Sequence, residues 1–397
     1  MRIAFYSTLH GMSWGGSEEL WSAAAEVLLR DGHQACLQYR QRRYVPQQLR
    51  PLLDMGAEVT PRRGPFFGGR IRKLLRKMRS PHHNFLKWFR IAQPDFVLIS
   101  VSYHMDDLQV AHACREAGIP YGILVQAASP YQWTDPWKAE SQRIAYANAA
   151  RCYFVSAQNR DILEANLGVD LSDAEIVDNP FNVRIDAAPA WPVATNPWKL
   201  ACVARVHFQS KAQDVLLQVM RQSKWRQRPL ELTLHGSDGG SMKQFKSLVK
   251  LYDLQKTVKL GGFVDNIETV WARNHGLILP SRYEGNPLAM IEAMMCGRMP
   301  IVTNVGRAAE LIDDNHSGFV AAAATVELVD DALERAWQRR HEWQEIGANA
   351  AKAVRQRHSL SPAQDFANAI VAATQPRRRE VIRPVSVTSA ATATSAA

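Results

Sequence analysis

Several features that define common protein classes are missing from this 397-residue sequence. No uninterrupted apolar run reaches the ~20 residues of a membrane-spanning helix, so an integral membrane protein is not expected. The five cysteines are scattered and form no C-x-x-C pair, which argues against a disulfide framework or a cysteine zinc site. The N-terminal residues MRIAFYSTLHG have the pattern of a strand rather than of a signal peptide. We therefore expect a reduced, cytoplasmic, globular protein.

Acidic residues are missing from one segment, residues 62–90, which holds ten Lys or Arg residues. The whole chain has 48 basic and 38 acidic residues, so the excess of +10 lies in this segment. Apolar residues recur there at helical spacing, and an aromatic group follows: Ile71, Leu74, Leu75, Met78, then Phe85, Leu86, Trp88 and Phe89. This pattern is typical of a helix lying on an anionic membrane surface, or of a helix packed on a sheet with a solvated basic face. No nucleic-acid-binding motif accompanies it, so nucleic acid is not an expected partner.

The chain opens with an alternation of strand and helix. Arg2–Ser7 is an apolar strand, and a loop containing Gly15 and Gly16 follows it. Ser17 is placed to cap a helix over Glu18–Arg30, before a second strand at Gln34–Tyr39. This βαβ pattern predicts a Rossmann-like half. The loop lacks G-x-G-x-x-G, so the dinucleotide-binding prediction is weak.

The most informative segment is PSRYEGNPLAMIEAMMCGRMPIVTNVGRAAELI, residues 280–312. It predicts a strand, a short loop and a helix over Leu288–Cys296, capped by Asn286 with Pro287 as its first residue. Backbone N–H groups at 286–288 would form a phosphate site at the carboxyl end of the strand. Glu284 and Glu292 flank that site, an arrangement that suits a nucleotide sugar. The alternative is an amphipathic helix with two solvated glutamates.

The same residues resemble a known signature. Two glutamates separated by seven residues within EGNPLAMIEAMMCGRMPIV, followed by GRAAELI, resemble the donor-binding segment of glycosyltransferase family 4. The resemblance implies an α/β fold of the GT-B type, with two Rossmann-like domains facing a central cleft. The implied organisation is an N-terminal acceptor-side domain (1–178), a linker (179–199), a nucleotide-sugar-binding domain (200–358), a helix crossing back (359–375) and a disordered tail (376–397).

The resemblance also implies roles for residues of the second domain. Arg205 and Lys211 match the family's pair of cations for the donor phosphates, although Ala212 stands where a glycine usually follows the lysine. Glu284 would hold hydroxyls of the donor sugar and Glu292 the ribose. No D-x-D motif occurs, so neither a metal ion nor a cofactor is expected, and cationic side chains would neutralise the diphosphate. The remaining expected donor contacts are Gly15, Gly16, Gly236, Phe263, Val264, Asn286, Pro287 and Leu288.

One departure from the family pattern concerns the first domain. Family members commonly place a histidine at the end of the strand that here covers Tyr121–Val125, whereas this chain has Gln126. A glutamine cannot take a proton, but it can bind a hydroxyl. His104, at the neighbouring strand end, either supplies the imidazole or is a hydrogen-bonded residue at a loop start.

The implied activity is transfer of a sugar, with retention at the anomeric carbon, from a nucleotide diphosphate to a glycan or lipid-linked acceptor in polysaccharide or glycolipid biosynthesis. A nucleotide-sugar epimerase or hydrolase on the same fold is an alternative, as is a catalytically degenerate sugar-nucleotide-binding protein. The aromatic residues Tyr131, Trp133 and Trp137 either form a platform for an acceptor sugar or wedge a loop. The donor sugar and its base are left open, as is a peripheral location on the membrane.

Overall fold

A computed structural model describes residues 1–10, 14–41, 45–60, 62–63, 81–193 and 196–375. Two parallel sheets form its framework: seven strands in the order β4-β2-β1-β6-β7-β8-β9, and six in the order β12-β11-β10-β13-β14-β15. A short pair, β3-β5, stands apart. The strands are β1 Arg2–Ser7, β2 Gln34–Gln38, β3 Arg40–Gln41, β4 Glu58–Val59, β5 Arg62–Arg63, β6 Phe96–Val101, β7 Tyr121–Val125, β8 Arg151–Phe154, β9 Glu175–Ile176, β10 Trp198–Val203, β11 Leu230–His235, β12 Val258–Gly262, β13 Gly276–Leu279, β14 Met299–Thr303 and β15 Phe319–Ala321.

Helices connect these strands. In chain order the α-helices are Gly16–Arg30, Arg50–Asp54, Pro81–Ala92, Gln109–Glu116, Pro136–Ala147, Ala157–Leu167, Phe208–Lys211, Gln213–Met220, Ser223–Gln227, Met242–Leu251, Glu268–Trp271, Leu288–Met295, Ala308–Leu311, Val326–Gln338, Trp343–Arg357 and Pro362–Ala373. Short 3₁₀ helices cover Gln47–Leu49 and Arg340–Glu342. The predicted architecture of two Rossmann-like parallel sheets is therefore confirmed.

Hydrophobic sequence explains the centre of each sheet. All six residues of β6 and all four of β13 are buried, as expected for parallel strands covered by helices on both faces. Strand order reverses at β1, which pairs with β2 and β6, and at β10, which pairs with β11 and β13. Ligands of open parallel sheets bind at such reversals, outside the carboxyl ends of the strands.

The last helix, Pro362–Ala373, packs against the first domain. Phe366 and Ile370 belong to the hydrophobic cluster of that domain, together with Leu20 of the first helix. The Tyr153 hydroxyl donates to the Ala369 carbonyl at 3.0 Å, and the Tyr153 and Phe366 rings meet edge to face at 5.1 Å. The C-terminal end of the described chain thus completes the core of the N-terminal sheet.

Residues 179–199, expected as a linker, lie on the second domain. Val183 and Ala187 are buried in its hydrophobic cluster. The buried Arg298 guanidinium donates to the carbonyls of Pro189 and Ala190 at 2.9 and 2.7 Å. Strand β10 already begins at Trp198. The proline-rich composition did predict irregular backbone, but this segment is packed rather than extended between domains.

The basic segment 62–90 falls mostly outside the described residues, since 64–80 are not described. Its aromatic part forms the helix Pro81–Ala92, in which Phe85, Trp88 and Phe89 are buried in the core of the first domain. Phe85 packs edge to face on Tyr6 at 5.2 Å. For these three aromatic side chains the second alternative, packing on the sheet, is the one observed. The tail 376–397 also lies outside the described residues.

A bilayer-crossing helix is not found in the described part of the chain: none of its helices is both long enough and sufficiently apolar.

We predict that Phe366→Ala destabilises the protein by about 3–5 kcal/mol, because it leaves a cavity under a ring that is 1% exposed. Urea unfolding measures the change. Leu360→Ala, at a side chain 39% exposed, is the control and should change stability by less than about 0.5 kcal/mol. Equal stabilities of the two variants would contradict the packing role of the last helix.

Candidate active site

A cavity of about 530 Å³ lies between the carboxyl edges of the two sheets. It is lined by residues that follow β1, β6 and β7 on one side and β10, β11, β12 and β13 on the other. The expected site residues that line it are Gly15, Gly16, Gln126, Arg205, Lys211, Gly236, Phe263, Val264, Glu284, Asn286, Pro287, Leu288 and Glu292. Residues from distant parts of the sequence therefore meet at one interdomain cleft.

Glycines bring the two halves of this cleft into contact. A Cβ atom on Gly285 would lie 1.9 Å from the Gln126 carbonyl oxygen, and one on Gly306 would lie 1.9 Å from the Gly285 carbonyl oxygen. Gly236 has φ +148°, and a Cβ there would overlap the Ala204 carbonyl oxygen at 2.1 Å. Only glycine allows these approaches, so the loop that carries Glu284 sits directly on the first domain.

Two residues that line the cavity, Lys211 and Glu284, form an ion pair. Lys211 Nζ lies 2.5 Å from Glu284 Oε1, which also accepts a hydrogen bond from the Ser281 hydroxyl at 2.7 Å. Both side chains are largely buried, with exposed fractions of 18% for Lys211 and 9% for Glu284. A buried cation and a buried carboxylate thus point into the same cavity, where they can bind a phosphate and a hydroxyl group respectively.

Arg205 adds a second cation. It is exposed, lines the cavity and has no ion-pair partner among the residues that the structure describes. Burial, together with the charges of Arg205 and Lys211, lowers the pKa of the neighbouring His207. The pKa shift is consistent with a positive potential on this side of the cleft, as a diphosphate site requires.

The start of the helix Leu288–Met295 differs from the expected cap. Pro287 is its N-cap residue, and the Asn286 side chain does not cap it. Pro287 has no N–H group, so it cannot contribute the expected backbone donor. The amides at the first helical positions, Leu288 and Ala289, are the ones without an intrahelical acceptor. Gly297 follows the helix with φ +68°, a left-handed conformation that favours glycine after a helix end.

The Asn286 side chain instead contacts His358, at the end of the helix Trp343–Arg357. Its Nδ2 lies 3.3 Å from His358 Nε2, and His358 Nδ1 lies 2.8 Å from the Ser359 carbonyl oxygen. A neutral ring with its proton on Nδ1 satisfies both contacts. Burial and the Arg307 charge lower the pKa of His358 to about 4.

Glu292 is 4% exposed, and its Oε1 accepts hydrogen bonds from both the backbone N–H and the side-chain amide of Asn182, at 3.0 and 3.1 Å. Burial raises the pKa of this carboxyl group. Glu292 therefore holds residues 179–199 in place, in addition to lining the cavity. Sequence reasoning missed Asn182, because the segment was interpreted as a linker.

Of the two alternatives for His104, its contacts match a hydrogen-bonded residue at a loop start. The residue is fully buried, and it does not line the cavity. Its Nε2 lies 3.2 Å from the Gln132 carbonyl oxygen, and its Nδ1 accepts from the Ser129 N–H at 3.4 Å. A direct role of this imidazole in the reaction stays a prediction.

Gln126 does line the cavity. It is 5% exposed, and its Nε2 has no hydrogen-bond partner among the residues described. A buried amide donor without a partner is costly unless a ligand meets it. The side chain is therefore available to bind a hydroxyl group.

Several cavity residues had no role in the sequence analysis. The Tyr103 ring of the first domain lies 5.6 Å from the Tyr283 ring of the second, so two aromatic side chains meet across the cleft. A Cβ on Gly261 would overlap the His235 ring, which explains the small residue there. Tyr103 follows β6 and Tyr283 follows β13, and a position after a strand end was the one signal that was available. The further lining residues include Leu9, His10, Ser17, Ser102, His207 and Ser210.

Comparison with known proteins agrees with this geometry. Residues 184–353, which lie almost entirely in the second domain, match the profile of the family described as glycosyl transferases group 1. A glycogen synthase of Marinomonas sp. is 30% identical over 149 residues, 36% of this chain and 31% of that protein. An alpha-D-kanosaminyltransferase of Streptomyces kanamyceticus is 27% identical over 142 residues, 35% of this chain and 36% of that protein. The matches thus span about a third of these relatives.

Solved structures match over nearly the whole chain. The Anabaena protein HepE, in complex with UDP, has a TM-score of 0.73 at 16% identity and covers 94% of this chain and 100% of that one. The sucrose-phosphate synthase of Thermosynechococcus elongatus has a TM-score of 0.71 at 16% identity, covering 94% and 98%. Identities this low bear on fold alone, and the fold is that of GT-B glycosyltransferases, as predicted.

We predict that His358 makes stability depend on pH. Its folded pKa of about 4 lies below its ordinary value of 6.5, so the folded state binds the proton less well than the unfolded state. The contribution of His358 to the free energy of unfolding is complete above pH 6.5 and is lost as the pH falls toward 4. The full loss amounts to about 3 kcal/mol.

Urea unfolding at pH 7 and pH 5 of the wild type and of His358→Asn measures this contribution as a difference, which removes the effect of other titrating groups. The wild type should lose more stability on acidification than the variant does. The same pH dependence in both proteins would contradict the assignment.

Proposed function

We propose that this chain is a retaining glycosyltransferase that moves a sugar from a nucleotide diphosphate to a glycan or lipid-linked acceptor, in polysaccharide or glycolipid biosynthesis. The observation that supports this most is the Lys211–Glu284 pair beside Arg205, at a helix start in the interdomain cavity. It combines charge for a diphosphate with a carboxylate for sugar hydroxyls. UDP-glucose is the first donor to test, because solved structures of HepE contain UDP and UDP-glucose.

In this proposal each residue acts on a different part of the donor. Arg205, Lys211 and the amides of Leu288 and Ala289 stabilise negative charge as the bond to the diphosphate breaks. Glu284 holds donor hydroxyls, and Glu292 faces the ribose. Gln126 binds a donor or acceptor hydroxyl group. The acceptor hydroxyl attacks on the side of the leaving group and passes its proton to a phosphate oxygen, so no protein base is required.

The proposal requires neither a metal ion nor another cofactor, since Arg205 and Lys211 neutralise the leaving diphosphate. It also includes a cytoplasmic location, because all five cysteines are buried and none of them is in a disulfide bond, as suits a reducing compartment. Contact with an anionic membrane surface is part of the proposal only through the charge of residues 62–90, since Phe85, Trp88 and Phe89 are in the core.

We expect Glu284→Gln and Arg205→Ala each to lower the rate of sugar transfer by about 10²-fold or more, because each removes charge that acts on the donor. A thermal-shift panel of UDP- and GDP-sugars identifies the donor. Transfer is then measured as nucleotide release with and without glycan acceptors. Arg115→Ala, at an exposed arginine of the first domain, is the matched control.

Rates near wild type in both variants would contradict the proposed roles. Incubation of the donor alone separates the other activities, because an epimerase or hydrolase converts the donor without an acceptor. Donor binding without turnover on any acceptor would instead indicate a degenerate binding protein.

A further inference from the structure

The loop after β7 and the first turn of the helix Pro136–Ala147 together expose three large aromatic side chains. Tyr131, Trp133 and Trp137 are 63%, 66% and 76% exposed. We call residues 129–137 the aromatic loop. Such a group of exposed rings on one loop is unusual for a surface that only meets water, and indicates a binding site.

Hydrogen bonds to His104 and Asn166 hold the backbone of the aromatic loop in place. The Gln132 carbonyl oxygen accepts from Asn166 Nδ2 at 2.9 Å and lies 3.2 Å from His104 Nε2. Asn166 Oδ1 accepts from the Thr134 N–H at 3.1 Å, and His104 Nδ1 accepts from the Ser129 N–H. The fully buried His104 therefore has a positioning role. A fixed loop presents its rings without a large loss of conformational entropy when a ligand binds.

The aromatic loop is continuous with the active-site cavity. It begins three residues after Gln126, and the hydroxyl of the cavity residue Tyr103 donates to Gln132 Oε1 at 2.7 Å. The Tyr103 ring also meets Tyr283, the residue next to Glu284. A ligand that extends from the active-site cavity past Tyr103 would reach the aromatic loop directly.

The charges nearby favour a neutral ligand. Asp135 and Glu140 are exposed, whereas the Lys138 ammonium donates to the Met105 carbonyl and Arg143 pairs with Glu140 at 2.9 Å. This surface has no excess of positive charge to attract an anionic membrane. Aromatic rings flanked by polar groups suit sugar units, which combine an apolar C–H face with a rim of hydroxyl groups.

We propose that the aromatic loop binds the acceptor, and that the acceptor is an extended neutral glycan whose sugar units stack on Tyr131, Trp133 and Trp137. The inference rests on the proposed glycosyl transfer, since it names the substrate class of the same cleft. The growing end would lie beside Gln126 and Glu284, and the following units would cover the loop.

Affinity electrophoresis tests this binding without requiring turnover. The full chain is run in native gels that contain glycogen, dextran, galactomannan or hydroxyethyl cellulose. At least one of these glycans should retard the wild type, and Trp133→Ala/Trp137→Ala should weaken that binding by about tenfold, because two stacked rings are lost. Ile91→Ala, at another exposed side chain of the same domain (69%), should bind as the wild type does.

Asn166→Ala keeps all three rings but removes two hydrogen bonds that fix the loop, so it should weaken binding by less than the double variant. Melting temperatures of all variants check that they are folded. The inference is overturned if no glycan retards the wild type, or if the double variant binds as well as Ile91→Ala.

Co-sedimentation with vesicles that contain anionic lipid tests whether the aromatic loop binds a membrane surface instead of a glycan. Vesicle binding that the double variant loses, with no effect on glycan binding, would make the loop a membrane contact and also overturn the inference. Failure of the proposed function is recognised separately, since the wild type would then bind no nucleotide sugar in the thermal-shift panel.

Discussion

The arrangement of the two domains depends on one carboxylate. Asp178 lies on the first passage of the chain between domains and pairs with the Arg307 guanidinium, and its other oxygen accepts from the Ser359 N–H, on the second passage, at 2.8 Å. Arg307 also binds Glu310, which accepts from the Ala157 N–H of the first domain at 3.1 Å. The Asp178–Arg307 pair is largely buried. Loss of either partner would therefore leave an uncompensated buried charge and destabilise the fold. Both passages are therefore tied at one point.

This connection gives the cleft its shape. With both passages held, the loop around Gly285 reaches the Gln126 carbonyl, and the Tyr103 and Tyr283 rings meet from opposite domains. The Lys211–Glu284 pair lines the same cleft, and the aromatic loop is joined to it by the hydrogen bond between Tyr103 and Gln132. Cations, a carboxylate, an amide and exposed rings thus belong to one connected region. In the proposed reaction they would meet the donor phosphates, the donor sugar and a glycan chain.

Sequence reasoning was most accurate where local pattern and sheet geometry agree. The bounds of β1 and β7 match the expected strands, because each is a short apolar run that ends at polar or turn residues. The rule that ligands bind at the carboxyl ends of parallel strands indicated the loop of Glu284, whereas Arg205 and Gln126 came from the family resemblance. His104 shows the limit of that rule: it identifies the end of a strand, but the direction of a side chain depends on which loop packs over it.

The sequence by itself determined the alternation of strands and helices, the apolar strands of two cores and the residue types at the cleft, because these follow from local periodicity and strand order. Only the tertiary structure decided which partners they meet. Phe85, Trp88 and Phe89 lie in the core rather than on a membrane, Glu292 holds Asn182, and the last helix covers the first sheet. Periodicity shows that a face is apolar, but burial depends on contacts between residues far apart in the chain.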